Sequence, residues 1–212
     1  MIFQTRCAGC DRPGPALCTT CRFALVGPRP RTGGHGVHAA VPFTGRARKV
    51  VLALKYGNRR QVARHLGGLV AQTVVAHGDH HDIDVVTWAP TGSARLHRRG
   101  FDQAELVARH VARLLGVPCR RLLQRPEDSG TQTGRTRLER LRGARFRAHP
   151  RVAGQRVLVV DDVVTTGATL RAAAAALSGA GAADVALYAV AATPLGTSSA
   201  AQRPRHLTPV AA

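Results

Sequence analysis

Residues 157–170 read Val-Leu-Val-Val-Asp-Asp-Val-Val-Thr-Thr-Gly-Ala-Thr-Leu, with two adjacent carboxylates between an apolar run and a small-residue loop. Ionised carboxylates only accept hydrogen bonds, so Asp161 and Asp162 suit sugar hydroxyls or a hydrated metal ion. Val163, Thr165, Thr166, Gly167, Ala168 and Thr169 then lead into an Ala-rich helical stretch. Backbone N–H groups that open into a helix N-terminus bind anions. The four apolar residues 157–160 predict a buried strand, and ligands of open α/β sheets sit beyond the carboxyl ends of strands. Together these parts describe a pocket for a phosphorylated sugar. The plainer alternative is a strand, turn and helix with a capping Asp or Thr, but the complete run in this context favours a ligand.

A second group carries different chemistry. Cys7, Cys10, Cys18 and Cys21 form Cys-x2-Cys, a seven-residue gap and a second Cys-x2-Cys. Two such pairs present four thiolates to a tetrahedral ion, the arrangement of structural Zn²⁺. Disulfides would need an oxidising compartment, and one redox dithiol would not account for two pairs. Four cysteines fill every position of the ion and leave none open for catalysis. Cys119 stands apart and reads as a small apolar residue.

The elements that must position these groups alternate. Strands are predicted over 37–43, 83–89, 120–123, 157–161 and 184–192, and helices over 46–55, 61–75, 104–115 and 169–178. The helix ended by Gly116 shows Leu106, Val107, His110, Val111, Leu114 and Leu115 as its inward stripe. His77, His80 and His81, with Asp79 and Asp82, read as a solvated polar connection. Strands alternating with helices imply a parallel sheet flanked by helices. The organisation is a zinc module at 1–25, a Pro- and Gly-rich linker at 26–36, an α/β domain at 37–192 and a flexible tail at 193–212.

At 212 residues the chain can bury one good core with a small appendage. Only Lys49 and Lys55 are lysines, so 29 of the 31 basic residues are arginine, and the net charge is +19. That charge fits either polyanion contact or the codon bias of a GC-rich genome. Aromatic residues make up 4%, too few for base-stacking platforms. No apolar run reaches the ~20 residues of a membrane span, and no signal peptide is visible. The expectation is a cytoplasmic protein.

Residues 157–170 resemble the phosphoribosyl-diphosphate (PRPP) motif of type I phosphoribosyltransferases. The resemblance implies that Asp161 and Asp162 hold the ribose hydroxyls, that residues 165–169 wrap the 5′-phosphate, and that Mg²⁺ rides on the diphosphate. Phosphoribosyl transfer then calls for two more loops. Residues 91–103, with Arg95, His97, Arg98 and Arg99, would stabilise the departing diphosphate. Residues 125–147, with Gly130, Gln132, Gly134, Arg135, Arg137 and Arg140, would form a lid. Lys55 could reach a phosphate or serve as a helix-end cation.

The four-cysteine module, Leu54-Lys55-Tyr56-Gly57, Arg98-Arg99-Gly100-Phe101-Asp102-Gln103, the lid and the Asp161–Leu170 run occur in this order in the ComF family, and the chain resembles that family over about residues 5–192. The resemblance implies a type I phosphoribosyltransferase-like fold with an N-terminal zinc module and a link to competence and DNA uptake. It implies Asp161, Asp162, Arg98 and Arg99 as catalytic residues, and it implies partners such as DNA or competence proteins. Small folds of this class commonly pair, which makes a homodimer a further expectation. An adaptor that senses PRPP or a nucleotide without turnover is the competing reading. Three positions depart from the family pattern. Asp102 stands where Asn is commoner, Trp88-Ala89-Pro90 replaces Pro-Val-Pro, and Gly143 lies nearest to where the lid carries an Asn.

Overall fold

A computed structural model describes residues 5–26, 36–126 and 145–194. In chain order the elements are α1 (Thr19–Phe23), β1 (Val37–Pro42), α2 (Gly45–Tyr56), α3 (Ala63–His77), β2 (Val85–Trp88), α4 (Ser93–Arg99), α5 (Gln103–Leu115), β3 (Leu123–Gln124), β4 (Arg147–Ala148), β5 (Arg156–Val164), α6 (Ala168–Gly179) and β6 (Asp184–Ala192). The expected linker, apart from Val26 and Gly36, lies outside the described residues, as do the tail beyond Pro194 and the named lid residues Gly130 to Arg140.

Strand alternation builds two cores, one on each face of the sheet. Leu158 and Val160 of β5, with Tyr188 and Val190 of β6, face α2, α3 and α5. Val157 and Val159, with Leu187 and Ala189, face Leu170, Ala173 and Leu177 of α6. A strand buried on both sides has no polar face to show, so β5 reads as a continuous apolar run. The four-stranded sheet has the order β1-β6-β5-β2, and every pair is parallel. Its outer edge is extended by residues 118–120, where Val86 donates to the Pro118 carbonyl and Arg120 donates back to the Val86 carbonyl. The strand predicted at 120–123 is thus split. Its start lines β2, while Leu123–Gln124 turns away to pair antiparallel with Arg147–Ala148.

This topology creates a crevice. From β1 through α3 to β2 the chain moves one way across the sheet. From β5 through α6 to β6 it moves the other way, with α6 on the opposite face. Between β2 and β5 the connections therefore diverge, and such a switch point is where α/β sheets hold ligands.

Three expectations need correcting. β5 does not end at Asp161 but stays paired to β6 as far as Val164↔Ala192, while its pairing with β2 stops at Val160. The acidic pair thus sits on a strand that is open on one side only. Residues 91–103 are not a plain loop, because Ser93–Arg99 is helical, ended by Gly100 at φ 71°. Leu114 is 61% exposed rather than inward. The buried face of α5 is instead Ala104, Val107, Ala108, Val111 and Ala112, small side chains that let α3 approach closely. A Cβ on Gly67 of α3 would lie 2.6 Å from His110 Cβ.

The polar connection after α3 is also more ordered than expected. His38 of β1 stacks on Tyr188 with centroids 5.0 Å apart and meets His77 at 4.1 Å. Tyr188 Oη donates to Asp79 Oδ2 at 2.6 Å.

Candidate functional site

Four elements converge at the crevice. The end of β5 supplies Asp161 and Asp162. From the last turn of α2, Lys55 Nζ reaches Asp162 Oδ1 at 2.9 Å, and both side chains are largely shielded from solvent. The segment after β2 enters through Thr91, and α5 enters through its cap, Asp102. Asp102 Oδ1 accepts from the Ala104 N–H at 3.0 Å, and Oδ2 accepts from the Thr91 N–H at 2.8 Å. One buried carboxylate therefore starts α5 and pins the segment leaving β2.

The electrostatics of the crevice are unbalanced, because three carboxylates face one lysine. Burial and the charge of Asp162 hold the Asp161 carboxyl well above the usual carboxylate range, against a 2.7 Å hydrogen bond from the Asp162 N–H and the attraction of Lys55. Burial also raises the Asp102 carboxyl, and Asp162 adds to that, while the N–H groups of Thr91, Ala104 and Glu105 oppose it. The site thus has more capacity for hydroxyl donors or positive charge than the protein itself fills.

Beyond Val164 the loop reaches Gly167 at φ 74°, a left-handed conformation at the cap of α6 that favours glycine. Thr165, Thr166 and Ala168 are exposed and Thr169 is half-buried. Val163 is half-buried and paired with Ala191. Arg171 Nη1 donates to the Thr166 carbonyl at 2.8 Å, so a cation lies across the loop from the first turn of α6. Its place four residues after Gly167 puts this arginine above the helix start.

The arginines after β2 divide by environment. Arg95 and Arg98 are exposed on α4. Arg99 turns inward instead. Its Nη1 donates to Gln103 Oε1 at 2.7 Å, and its guanidinium lies 4.9 Å from the Tyr56 ring centroid. Gln103 is fully buried and also donates to the Phe101 carbonyl. Arg99 therefore ties α4 and α5 to the end of α2, beside Lys55. Tyr56 and Gln103 fall within the sequence motifs 54–57 and 98–103, which by themselves do not reveal this contact.

The thiolate group lies elsewhere. The Sγ atoms of Cys7, Cys10, Cys18 and Cys21 all lie within 4.8 Å of one another, the one group among the described residues close enough to hold a metal ion. Cys10 and Cys18 sulfurs are 3.8 Å apart, matching the edge of about 3.8 Å that four sulfurs 2.3 Å from a zinc ion would make. Cys7 Sγ accepts from the N–H groups of Gly9 at 3.4 Å and Cys18 at 3.3 Å. Burial disfavours its thiolate, but those donors outweigh burial and bring its pKa to about 6. Burial and the neighbouring cysteines push Cys21 up to about 12, against a hydrogen bond from Arg46. The cluster is not a free-standing appendage, because Cys7 and Cys21 belong to the same buried cluster as Val50, Val51 and Leu54 of α2. Burial also pushes Cys119 up to about 11, in keeping with its reading as a packing residue.

The known protein family described as "Phosphoribosyl transferase domain" matches residues 101–204, which include the acidic pair and the following loop. The "DNA utilization protein YhgH" of Salmonella typhi is 33% identical over 146 residues, 66% of this chain and 64% of that protein. The protein of the same name from Escherichia coli K12 is 27% identical over 192 residues, 87% of this chain and 83% of that one. "Competence protein F" of Haemophilus influenzae is 27% identical over 130 residues, 57% of each chain. This chain thus spans just under two thirds of the Salmonella relative. Among solved structures, glutamine PRPP amidotransferase from B. subtilis aligns at TM-score 0.44 and 26% identity, over 62% of this chain and 26% of that one. Adenine phosphoribosyltransferase from Giardia lamblia aligns at TM-score 0.41 and 21% identity, over 68% and 72%.

With its parallel sheet flanked by helices and its match to the phosphoribosyl transferase domain over residues 101–204, the chain has a type I phosphoribosyltransferase-like fold. The chain is similar to competence protein F and to the DNA utilization proteins, and it carries a four-cysteine cluster at its N-terminus. No helix among the described residues is long and apolar enough to cross a membrane.

Proposed function

We propose that this protein binds PRPP, with Mg²⁺, in the crevice between β2 and β5. The observation that carries the reading is the Asp161–Asp162 pair, set at the switch point beside Lys55 and directly before the Thr165–Thr169 loop. Asp161 and Asp162 take the ribose hydroxyls. The 165–169 loop takes the 5′-phosphate, with Arg171 adding positive charge from behind. Arg95 and Arg98, exposed on α4, would meet the departing diphosphate, while Arg99 positions α4 against α2. Mg²⁺ suits the hard oxygen donors of this crevice and supplies neutralisation of diphosphate charge when bound. Zn²⁺ is proposed for the four cysteines in a structural role, within a module spanning residues 1–25.

Should transfer follow binding, the bond between ribose C1 and the diphosphate oxygen breaks, and its electron pair leaves with diphosphate. A lone pair on the acceptor forms the new bond to C1. The protein's own contribution is positioning and electrostatics, with no covalent nucleophile needed. Calorimetry with PRPP and Mg²⁺ tests binding, and diphosphate release against a panel of bases, amines and nucleotides tests turnover. Binding by the wild type that disappears in Asp161→Asn/Asp162→Asn supports the reading. Absence of binding by metal-replete wild type overturns it.

A non-catalytic adaptor is the second reading, and one surface favours it. A groove of about 380 Å³ between the cysteine module and α3 is lined by Leu17, Arg22, Phe23, Arg64, His65 and Leu69, among others. Phe23 stands 72% exposed beside those cations. Such a surface suits an anionic partner, DNA or a protein of the uptake machinery, in the cytoplasm. PRPP binding without diphosphate release in the acceptor panel, with DNA binding that survives Asp161→Asn, would favour this reading.

A further inference from the structure

The cysteine cluster and the crevice share one helix. Helix α2 begins at Gly45 and ends at Tyr56. Arg46, in its first turn, donates from Nη1 to Cys21 Sγ at 2.9 Å. Lys55, in its last turn, binds Asp162 at 2.9 Å. Nine residues separate the two, roughly 13.5 Å along the axis of a rigid element. Val50, Val51 and Leu54, between them, are fully buried in the cluster that also contains Cys7 and Cys21.

The module grips the helix in two further places. Gly9, between the first two cysteines, lies so close that a Cβ there would meet Cys21 Sγ at 2.7 Å and Val50 Cγ2 at 3.6 Å. Just past the C-terminal end of α2, Arg59 pairs with Asp11 at 3.1 Å and donates to the Arg6 carbonyl. Asp11 belongs to the tight turn after Cys10, at φ 59°. The cysteine knuckles therefore run along α2 and hold both ends.

We propose that Arg46 is a positioning residue that couples the metal state of the cysteine cluster to the sugar-phosphate crevice, with α2 as the connecting rod and Lys55 as its working end. Four thiolates around Zn²⁺ carry a net charge of −2, so a guanidinium on one sulfur is attracted to the filled centre and holds the start of α2 against it. Loss or oxidation of the thiolates removes that charge. Arg46 is then released, and the register of α2, and with it Lys55 against Asp162, is no longer fixed from the module side. Nothing in a purely structural metal site requires this link, because the module could fold around its ion without touching the helix that serves the crevice.

The PRPP part of the test rests on the proposed function, and the exchange part does not. Amide hydrogen exchange over residues 53–57 is compared in zinc-loaded full-length wild type, zinc-loaded Arg46→Ala, and wild type treated with a zinc-selective chelator in excess Mg²⁺. Zinc release is followed in parallel with a chromogenic chelator. Arg46→Ala is expected to release zinc at least threefold faster. While still loaded, it should also show raised exchange at 53–57, as the stripped wild type does. Its PRPP affinity should fall about three- to tenfold, a loss that vanishes when Lys55→Met is already present. Arg46→Lys, which keeps the charge, should recover part of each effect. Exchange at 53–57 unchanged in loaded Arg46→Ala overturns the coupling. Equal PRPP losses with and without Lys55 also overturn it. If loaded wild type fails to bind PRPP while the exchange response is present, the coupling stands and the proposed ligand does not.

Discussion

The cysteine cluster and the acidic crevice are both concentrations of negative groups fed by backbone N–H donors, yet one is complete and the other is not. In the cluster, four sulfurs lie at the spacing of a single tetrahedral ion. Its two innermost ligands are buried among valines and leucines. It has no vacant position, which marks a site that holds structure. In the crevice, three carboxylates meet one lysine, and two of them are pushed toward their protonated forms by burial and by the charge of Asp162. That arrangement stabilises nothing by itself. Strained electrostatics that the fold tolerates at a strand end are what a ligand site requires.

The comparison breaks first at the metal. If the cluster is structural, removing its ion should destabilise the whole chain, because Cys7 and Cys21 share the core of α2 and α3. An ion bound at 1,000 times its dissociation constant contributes about 4 kcal/mol to folding. Urea unfolding with and without a zinc-selective chelator should show a loss of that order, and Cys18→Ser should reproduce it. An unchanged midpoint would remove the structural role.

Next comes Asp161→Asn/Asp162→Asn. Hydrogen bonds to charged groups contribute about 1.5–3 kcal/mol each, so losing two charged acceptors should weaken PRPP binding by at least about 100-fold. The fold should survive, since neither residue fills the core. Calorimetry reads the affinity and circular dichroism the fold. A variant that binds PRPP normally would move the ligand away from β5.

Much of this was legible in the sequence, and the misses have physical causes. The apolar run 157–160 located β5 because burial on both faces leaves a continuous hydrophobic signature, and the Ala-rich stretch over 169–178 located α6. The cysteine cluster was legible because the spacing of the four thiols is fixed along the chain. Leu114 departs from the expected stripe because periodicity cannot tell which of two adjacent apolar stripes faces inward. Gly67 of α3 comes closest to Val107, His110 and Val111 of α5, a tertiary contact that leaves Leu114 outside. The roles of Tyr56 and Gln103 depend on where the inward turn of Arg99 brings α2 and α4 together, a tertiary fact with no local pattern. Arg46 is hidden for the same reason, being 25 residues from the cysteine it touches.

A smaller effect depends on pH. The Asp161 carboxyl is raised in the folded state. Its contribution to stability is therefore fully present below its unfolded pKa, near 3.8, and is lost as pH rises through the higher folded value. Asp161→Asn removes this penalty, so the single variant should melt above wild type at pH 7. Its advantage should shrink as the pH is lowered toward 4. Thermal unfolding of the pair from pH 4 to 8 gives the difference directly, and a variant that melts below wild type at neutral pH would contradict the charge imbalance inferred for the crevice.

The smallest effect is expected at Asp102, where structure and electrostatics pull in opposite directions. Its two oxygens accept from Thr91 and Ala104. In Asp102→Ala both N–H groups lose their partner and the α5 cap is removed, a cost of about 1 kcal/mol. In Asp102→Asn one carbonyl oxygen remains to cap α5, while the amide NH₂ cannot accept from Thr91. That loss is offset because a negative charge leaves the neighbourhood of Asp161 and Asp162. Asn should therefore lie within about 0.5 kcal/mol of wild type and Ala clearly below it, as read by chemical denaturation. The ordering separates the two duties of this residue. If Asn is as damaging as Ala, the clasp on Thr91 outweighs the cap, and the segment leaving β2 is held chiefly by Asp102. If Asn is more stable than wild type, repulsion among the three carboxylates outweighs the lost clasp, and the crevice carries more uncompensated charge than its single lysine can balance.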